Sequence, residues 1–84
     1  MNDSFEISAP QEPTEGDYLS FTILDGDRQR PGRITGTALA LLSNVDERRE
    51  VFLANFERIR QAAYLMCQEN PNLDVIILDS ESFQ

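Results

Sequence analysis

The run VDERREVFLANFERIRQAAYLMCQE, residues 45–69, decides how this chain reads. Within it Val45, Phe52, Phe56, Ile59, Ala63 and Met66 recur at spacings of 7, 4, 3, 4 and 3, which places their side chains on one face of an α-helix. Ala62 and Cys67 border that face, and Glu50, Glu57, Gln61 and Gln68 stand opposite it. The spacing predicts one amphipathic helix from about Val45 to Glu69. Asn44 with Glu47 three residues on, or Asp46 as a rival cap, opens it. Asn70-Pro71 closes it, because a residue before proline is pushed out of the α region. At about 1.5 Å per residue the rod is about 36 Å long, whereas a domain of this size is about 30 Å across. It must overhang, bend or be covered by a partner.

Upstream, YLSFTIL at residues 18–24 places Leu19, Phe21 and Ile23 on one side of a strand. Asp25-Gly26 signals a turn, and breakers through Pro31-Gly32 extend it into a long loop. A second strand then starts near Arg33 and includes Ile34. Thr35 and Thr37 are candidate N-caps for a short helix over the run from Ala38 to Leu42. Downstream, the apolar run from Val75 to Leu78 between Asp74 and Asp79 reads as a strand covered on both faces or central in the sheet. The expected fold is α+β, in the order β-β-α-α-β, with a small, mainly antiparallel sheet packed on one long helix. Residues 18–79 form its single domain and residues 80–84 a C-terminal tail in which Phe83 can fold back. Residues 1–17 read as a flexible acidic tail, against a competing reading in which Phe5 and Ile7 pair as a short edge strand.

Composition narrows the chemistry. The chain of 84 residues has a net charge of −8, and all seven of its bases are arginines. Without lysine or histidine, a Ser-His-Asp or Cys-His nucleophile, a Schiff-base lysine, a phosphate-loop lysine and any histidine-containing metal site are closed to it. The one cysteine, Cys67, excludes an internal disulfide. Near the C-terminus of a helix, where the macrodipole opposes a thiolate, it reads as a packing residue. Seven acids precede Arg28 and no base does, a field that repels nucleic-acid phosphates and anionic lipid. No run of 18 apolar residues occurs, and the first ten residues have neither a basic nor an apolar leader segment, so the expected location is cytoplasmic.

Three of the arginines, Arg28, Arg30 and Arg33, fall within six residues, and arginine forks suit carboxylate or phosphate. With the backbone at Gly36 and Thr37, where a helix starts, they are the candidate binding site. The plain alternative is that they pair with Asp25, Asp27 or the acidic tail, or stand solvated. The glycine spacing there does not match a phosphate loop, and Asp25-Gly26-Asp27 lacks the further oxygen ligands of a calcium loop. Leu53, Tyr64 and Leu65 lie off the main stripe of the long helix and form a candidate contact patch.

A first strand ending near Asp25-Gly26, then Ile34-Thr35 before Ala38-Leu39, then Phe52, Asn55, Ile59 and Ala63, and a closing segment from Val75 to Asp79 together resemble a bacterial family of small single-domain proteins, number 1488 in the domain-of-unknown-function series. The resemblance spans about residues 18–79. It implies an α+β sheet-and-helix fold and assigns no activity to any residue. The expected function is therefore a non-catalytic protein-interaction or adaptor module, without cofactor or metal, that contacts another protein and neither nucleic acid nor membrane. A monomer is expected rather than a homodimer, because Arg49 interrupts the heptad-like seam and the sheet needs the helix as cover. Two alternatives are an acidic regulator that mimics nucleic acid toward a basic protein and a small-anion binder using the segment from Arg28 to Arg33.

Overall fold

The hairpin around Gly26-Asp27 is tighter than its composition suggests. In the computed structural model, which describes residues 5–11, 18–42 and 47–83, β2 (Tyr18–Asp25) and β3 (Arg28–Thr35) pair antiparallel with Asp25 opposite Arg28. Only Gly26 and Asp27 remain for the turn. Gly26 takes φ +64 and Asp27 does not take a positive φ, the pattern of a two-residue turn with glycine first, whose twist matches that of the strands. The expected long loop is thus corrected, because Pro31 and Gly32 lie within β3. Pro31 is tolerated there because β4 (Ile76–Leu78) pairs with β3 only from Gly32 onward, leaving β3 an edge on that side at the proline. Gly32 is required by packing: a Cβ there would lie 2.7 Å from two ring carbons of Phe21.

The sheet has four strands in the order β1-β2-β3-β4. β1 (Phe5–Ile7) pairs antiparallel with β2, and β4 pairs parallel with β3. The tail expectation for residues 1–17 is corrected at Phe5–Ile7, since Phe5 is fully buried and Ile7 is 5% exposed. Two such side chains gain about 1.5–3 kcal/mol each on burial, which outweighs the polar composition around them. Gln11 extends the contact by bridging to Ser20. The rest of that acidic stretch, residues 1–4 and 12–17, lies outside the described residues.

The 25-residue rod is corrected as well. The segment forms α2 (Arg48–Ala54) and α3 (Phe56–Glu69), separated at Asn55 with φ −115 and ψ 26. The Asn55 side chain donates to the Val51 carbonyl at 2.9 Å and its backbone N–H is shared between Val51 and Phe52. A short amide side chain that bonds its own backbone competes with helical continuation. The bend settles the length problem in a molecule of 34 × 26 × 19 Å. The expected caps Asn44 and Asp46, and Val45, lie outside the described residues.

α1 (Gly36–Leu42) follows β3 directly, and Thr35 accepts the Ala38 N–H at 3.2 Å as its cap. α3 lies against β1 and β4, and α1 against the 3-10 turn Ser80–Phe83. The core-facing side chains of the sheet, Phe5, Ile7, Leu19, Phe21, Ile23, Ile34, Ile76 and Leu78, meet Val51, Phe52, Ile59, Ala63 and Cys67 from the helices. Phe52 packs on Phe21 at 5.3 Å between ring centroids and on Phe56 at 6.2 Å. β4 proves to be an edge strand with one open face: Ile76 and Leu78 are buried, whereas Ile77 is 47% exposed. Phe83 packs back on the core from within the expected C-terminal tail. The chain is thus α+β, with a mixed four-stranded sheet and helices on one face, in the order β-β-β-α-α-α-β rather than β-β-α-α-β.

Candidate functional site

Strand alternation divides the arginines of β3. Arg30 points to the helix side with Gly32 and Ile34, all three buried, and Arg28 has the same parity at the strand's exposed end. Arg33 belongs to the opposite face, where its guanidinium lies 4.8 Å from the ring centroid of Tyr18. Arg28 Nη1 and Arg30 Nη2 donate to one acceptor, the Pro71 carbonyl, at 2.9 and 3.0 Å. Arg30 is 4% exposed, and its Nε and Nη1 have no hydrogen-bond partner. The expected cluster of Arg28, Arg30 and Arg33 therefore splits into a pair that pins the turn after α3 and a third residue on the other side of the sheet. Gly36 opens α1 and Thr37 is exposed, with its hydroxyl 3.1 Å from that of Thr35. They stand apart from the Arg28–Arg30 pair, at the other end of β3.

Two further arginines repeat the pattern. Arg49 donates to the Pro10 carbonyl at 3.0 Å and Arg60 to the Phe5 carbonyl at 2.9 Å. Four of the seven bases thus fasten backbone carbonyls, and one of them, Arg60, also pairs with Glu57 at 3.5 Å at the surface. A carbonyl acceptor at a segment end is itself an unmet backbone group, so each such bond satisfies a polar atom and fixes a chain crossing at once.

Cys67 is buried on the helix side above this region. Burial pushes its thiol above the ordinary value of 9.0, Asp25 adds to that, and Arg30 and Arg28 oppose it. It is a protonated, enclosed thiol at neutral pH.

The contact-patch residues also divide. Leu65 is 51% and Leu53 45% exposed. Tyr64 is half-buried with its ring edge-on to Phe5 at 5.2 Å and 82°, so it seats β1 rather than facing outward alone. Leu65 lies in a trough between α3 and the 3-10 turn. Its larger compartment, about 330 Å³, is lined by Ala62, Leu65, Met66, Glu69, Asp79, Glu81 and Ser82. The adjoining one, about 220 Å³, shares Ala62, Leu65 and Ser82 and adds Arg58, Gln61 and Phe83. On α3 these positions follow i, i+3, i+4, i+7, so one helical stripe forms the floor. Of this stripe only Leu65 is among the contact residues expected from the sequence, although helical spacing could have grouped the others with it. The opposite wall was not readable in the sequence, because it exists only once Asp79 accepts the Glu81 N–H at 3.0 Å and turns the chain back.

Among the described residues no group of three His, Cys, Asp or Glu side chains is placed to hold a metal ion, and no helix is long and apolar enough to cross a membrane. No family model, curated protein or solved structure matches this chain.

Proposed function

We propose that the chain is a non-catalytic protein-interaction module. The observation that carries this reading is Leu65, an apolar side chain 51% exposed in the middle of a trough whose rim is charged. An open, partly apolar surface framed by polar groups is the usual form of a protein contact. The core is thin for its area, so leaving Leu65 in water forgoes burial the domain could use. The absence of lysine and histidine from the sequence leaves carboxylates, Cys67 and the tyrosines for any proton transfer, and Cys67 is enclosed. The resemblance to the uncharacterised bacterial family adds a fold and no activity. A cytoplasmic location is part of the same reading.

The test is affinity capture of the full chain in extract of its own cells at low and high salt. One protein retained in stoichiometric amount under both conditions is the expected result. Recovery of nothing under either condition would sink the reading. A partner lost at high salt would favour the acidic, nucleic-acid-mimicking regulator instead, because screening weakens contacts between exposed charges and leaves apolar ones.

A further inference from the structure

We propose that the trough between α3 and the 3-10 turn seats an amphipathic helix of a partner protein, with apolar side chains on Ala62 and Leu65 and basic side chains on Glu69, Asp79 and Glu81. The proposal rests on the interaction-module reading and names the chemistry of the partner.

The shape comes first. From Arg58 to Glu69 the floor follows one stripe of α3, and at about 1.5 Å per residue it runs about 16 Å. That is three turns of a second helix laid alongside, whose i, i+3 or i+4 and i+7 side chains would reach Ala62 and Leu65.

Charge then selects the occupant. Glu69, Asp79 and Glu81 rim one end and Arg58 the other. Among the described residues none of Arg58, Glu69 and Glu81 makes an ion pair. The acidic end coincides with the C-terminus of α3, whose last turn carries no basic residue of its own; Arg28 and Arg30 are committed to the Pro71 carbonyl beyond it. The three carboxylates favour lysine or arginine from outside. Arg58 repels the same groups at the far end, which fixes the direction in which the partner lies.

The experiment titrates the full 15N-labelled chain with two synthetic amphipathic helices of about four turns, the length of groove-binding segments. Both have a leucine face; one has lysines at one end, and in the other glutamates replace them. Amide shifts confined to residues 58–69 and 79–83, with the lysine peptide binding at least about tenfold more tightly, are expected. Leu65→Asp, at an exposed position, should remove that binding while the circular dichroism spectrum is unchanged. Glu69→Arg with Glu81→Arg should reverse the peptide preference. Shifts that map elsewhere, equal affinities, no shifts, or a concentration-dependent dimer abolished by Leu65→Asp would each overturn the proposal. A cellular protein captured equally by wild type and Leu65→Asp would remove the trough and leave the interaction-module reading standing. Capture of no protein by the wild type would remove that reading itself.

Discussion

Gly32 and Phe21 are cross-strand partners, and the Phe21 ring lies over the glycine so closely that a Cβ would meet Cε2 and Cζ at 2.7 Å and Ile23 Cδ1 at 3.1 Å. The ring cannot swing aside cheaply, since it is 1% exposed and packed on Phe52. Gly32→Ala should therefore cost about 1–3 kcal/mol, the range of core overpacking, measured by urea denaturation with a change in near-ultraviolet dichroism. Stability equal to wild type would contradict this packing.

Phe5 separates an anchored N-terminal strand from a tail. Its side chain is fully buried, its carbonyl accepts from Arg60, and its ring meets Tyr64. Phe5→Ala is expected to lose about 3–5 kcal/mol, as large aromatic truncations in cores do. A loss within ~0.5 kcal/mol, the size of an ordinary surface substitution, would return residues 5–7 to the tail.

Arg30 is held in the core with two nitrogen atoms unpartnered, while Arg28 supplies a second donor to Pro71. Burying a charge without full pairing costs free energy that an apolar side chain of similar length does not incur. Arg30→Met should leave unfolding stability equal to wild type or higher. Arg30→Ala should fall below it, because a cavity replaces the stem. A loss above about 2 kcal/mol in Arg30→Met would show that the guanidinium is required for the fold.

Cys67 gives a pH dependence with a defined sign. Its folded pKa lies above 9.0, the ordinary value, chiefly through burial. Below that value both states hold the thiol proton and stability is unaffected. Above it the unfolded chain loses the proton while the folded chain keeps it, so stability falls by up to about 1.4 kcal/mol per pH unit until the folded thiol ionises too. Urea titrations between pH 8 and about 10.5 should show a steeper alkaline decline in wild type than in Cys67→Ala. Parallel profiles would contradict the burial of the thiol.

The turn offers a contrast to Gly32. A Cβ at Gly26 would meet nothing within 4 Å, but its φ of +64 lies in the left-handed region. Gly26→Ala should cost about 1 kcal/mol through backbone strain alone, with the near-ultraviolet spectrum unchanged. An altered spectrum would show that the site packs.

What could be read along the chain was local. The periodicity of Phe52, Ile59 and Ala63 placed their face on the core, the alternation of Leu19, Phe21 and Ile23 placed the strand, and Asp25-Gly26 placed the turn. Each depends on residues within about three turns of one another, where a side chain's direction follows from backbone geometry. Composition alone closed histidine- and lysine-based chemistry.

Tertiary structure decided whatever required distant segments to meet. Pro31 and Gly32 look like loop residues until β2 pairs with them, β4 joins from Gly32 onward, and Phe21 needs a partner without a side chain. Phe5–Ile7 are too few to specify a strand by themselves and gain their stability from β2 and α3. The division of Arg28 and Arg30 from Arg33 follows from strand parity, which depends on where β3 starts, and that start is set by pairing with β2. The trough has one wall on α3 and another after β4, so no local pattern contains it. Contact energy between remote segments, the term that offsets loop-closure entropy, is absent from any short window of sequence.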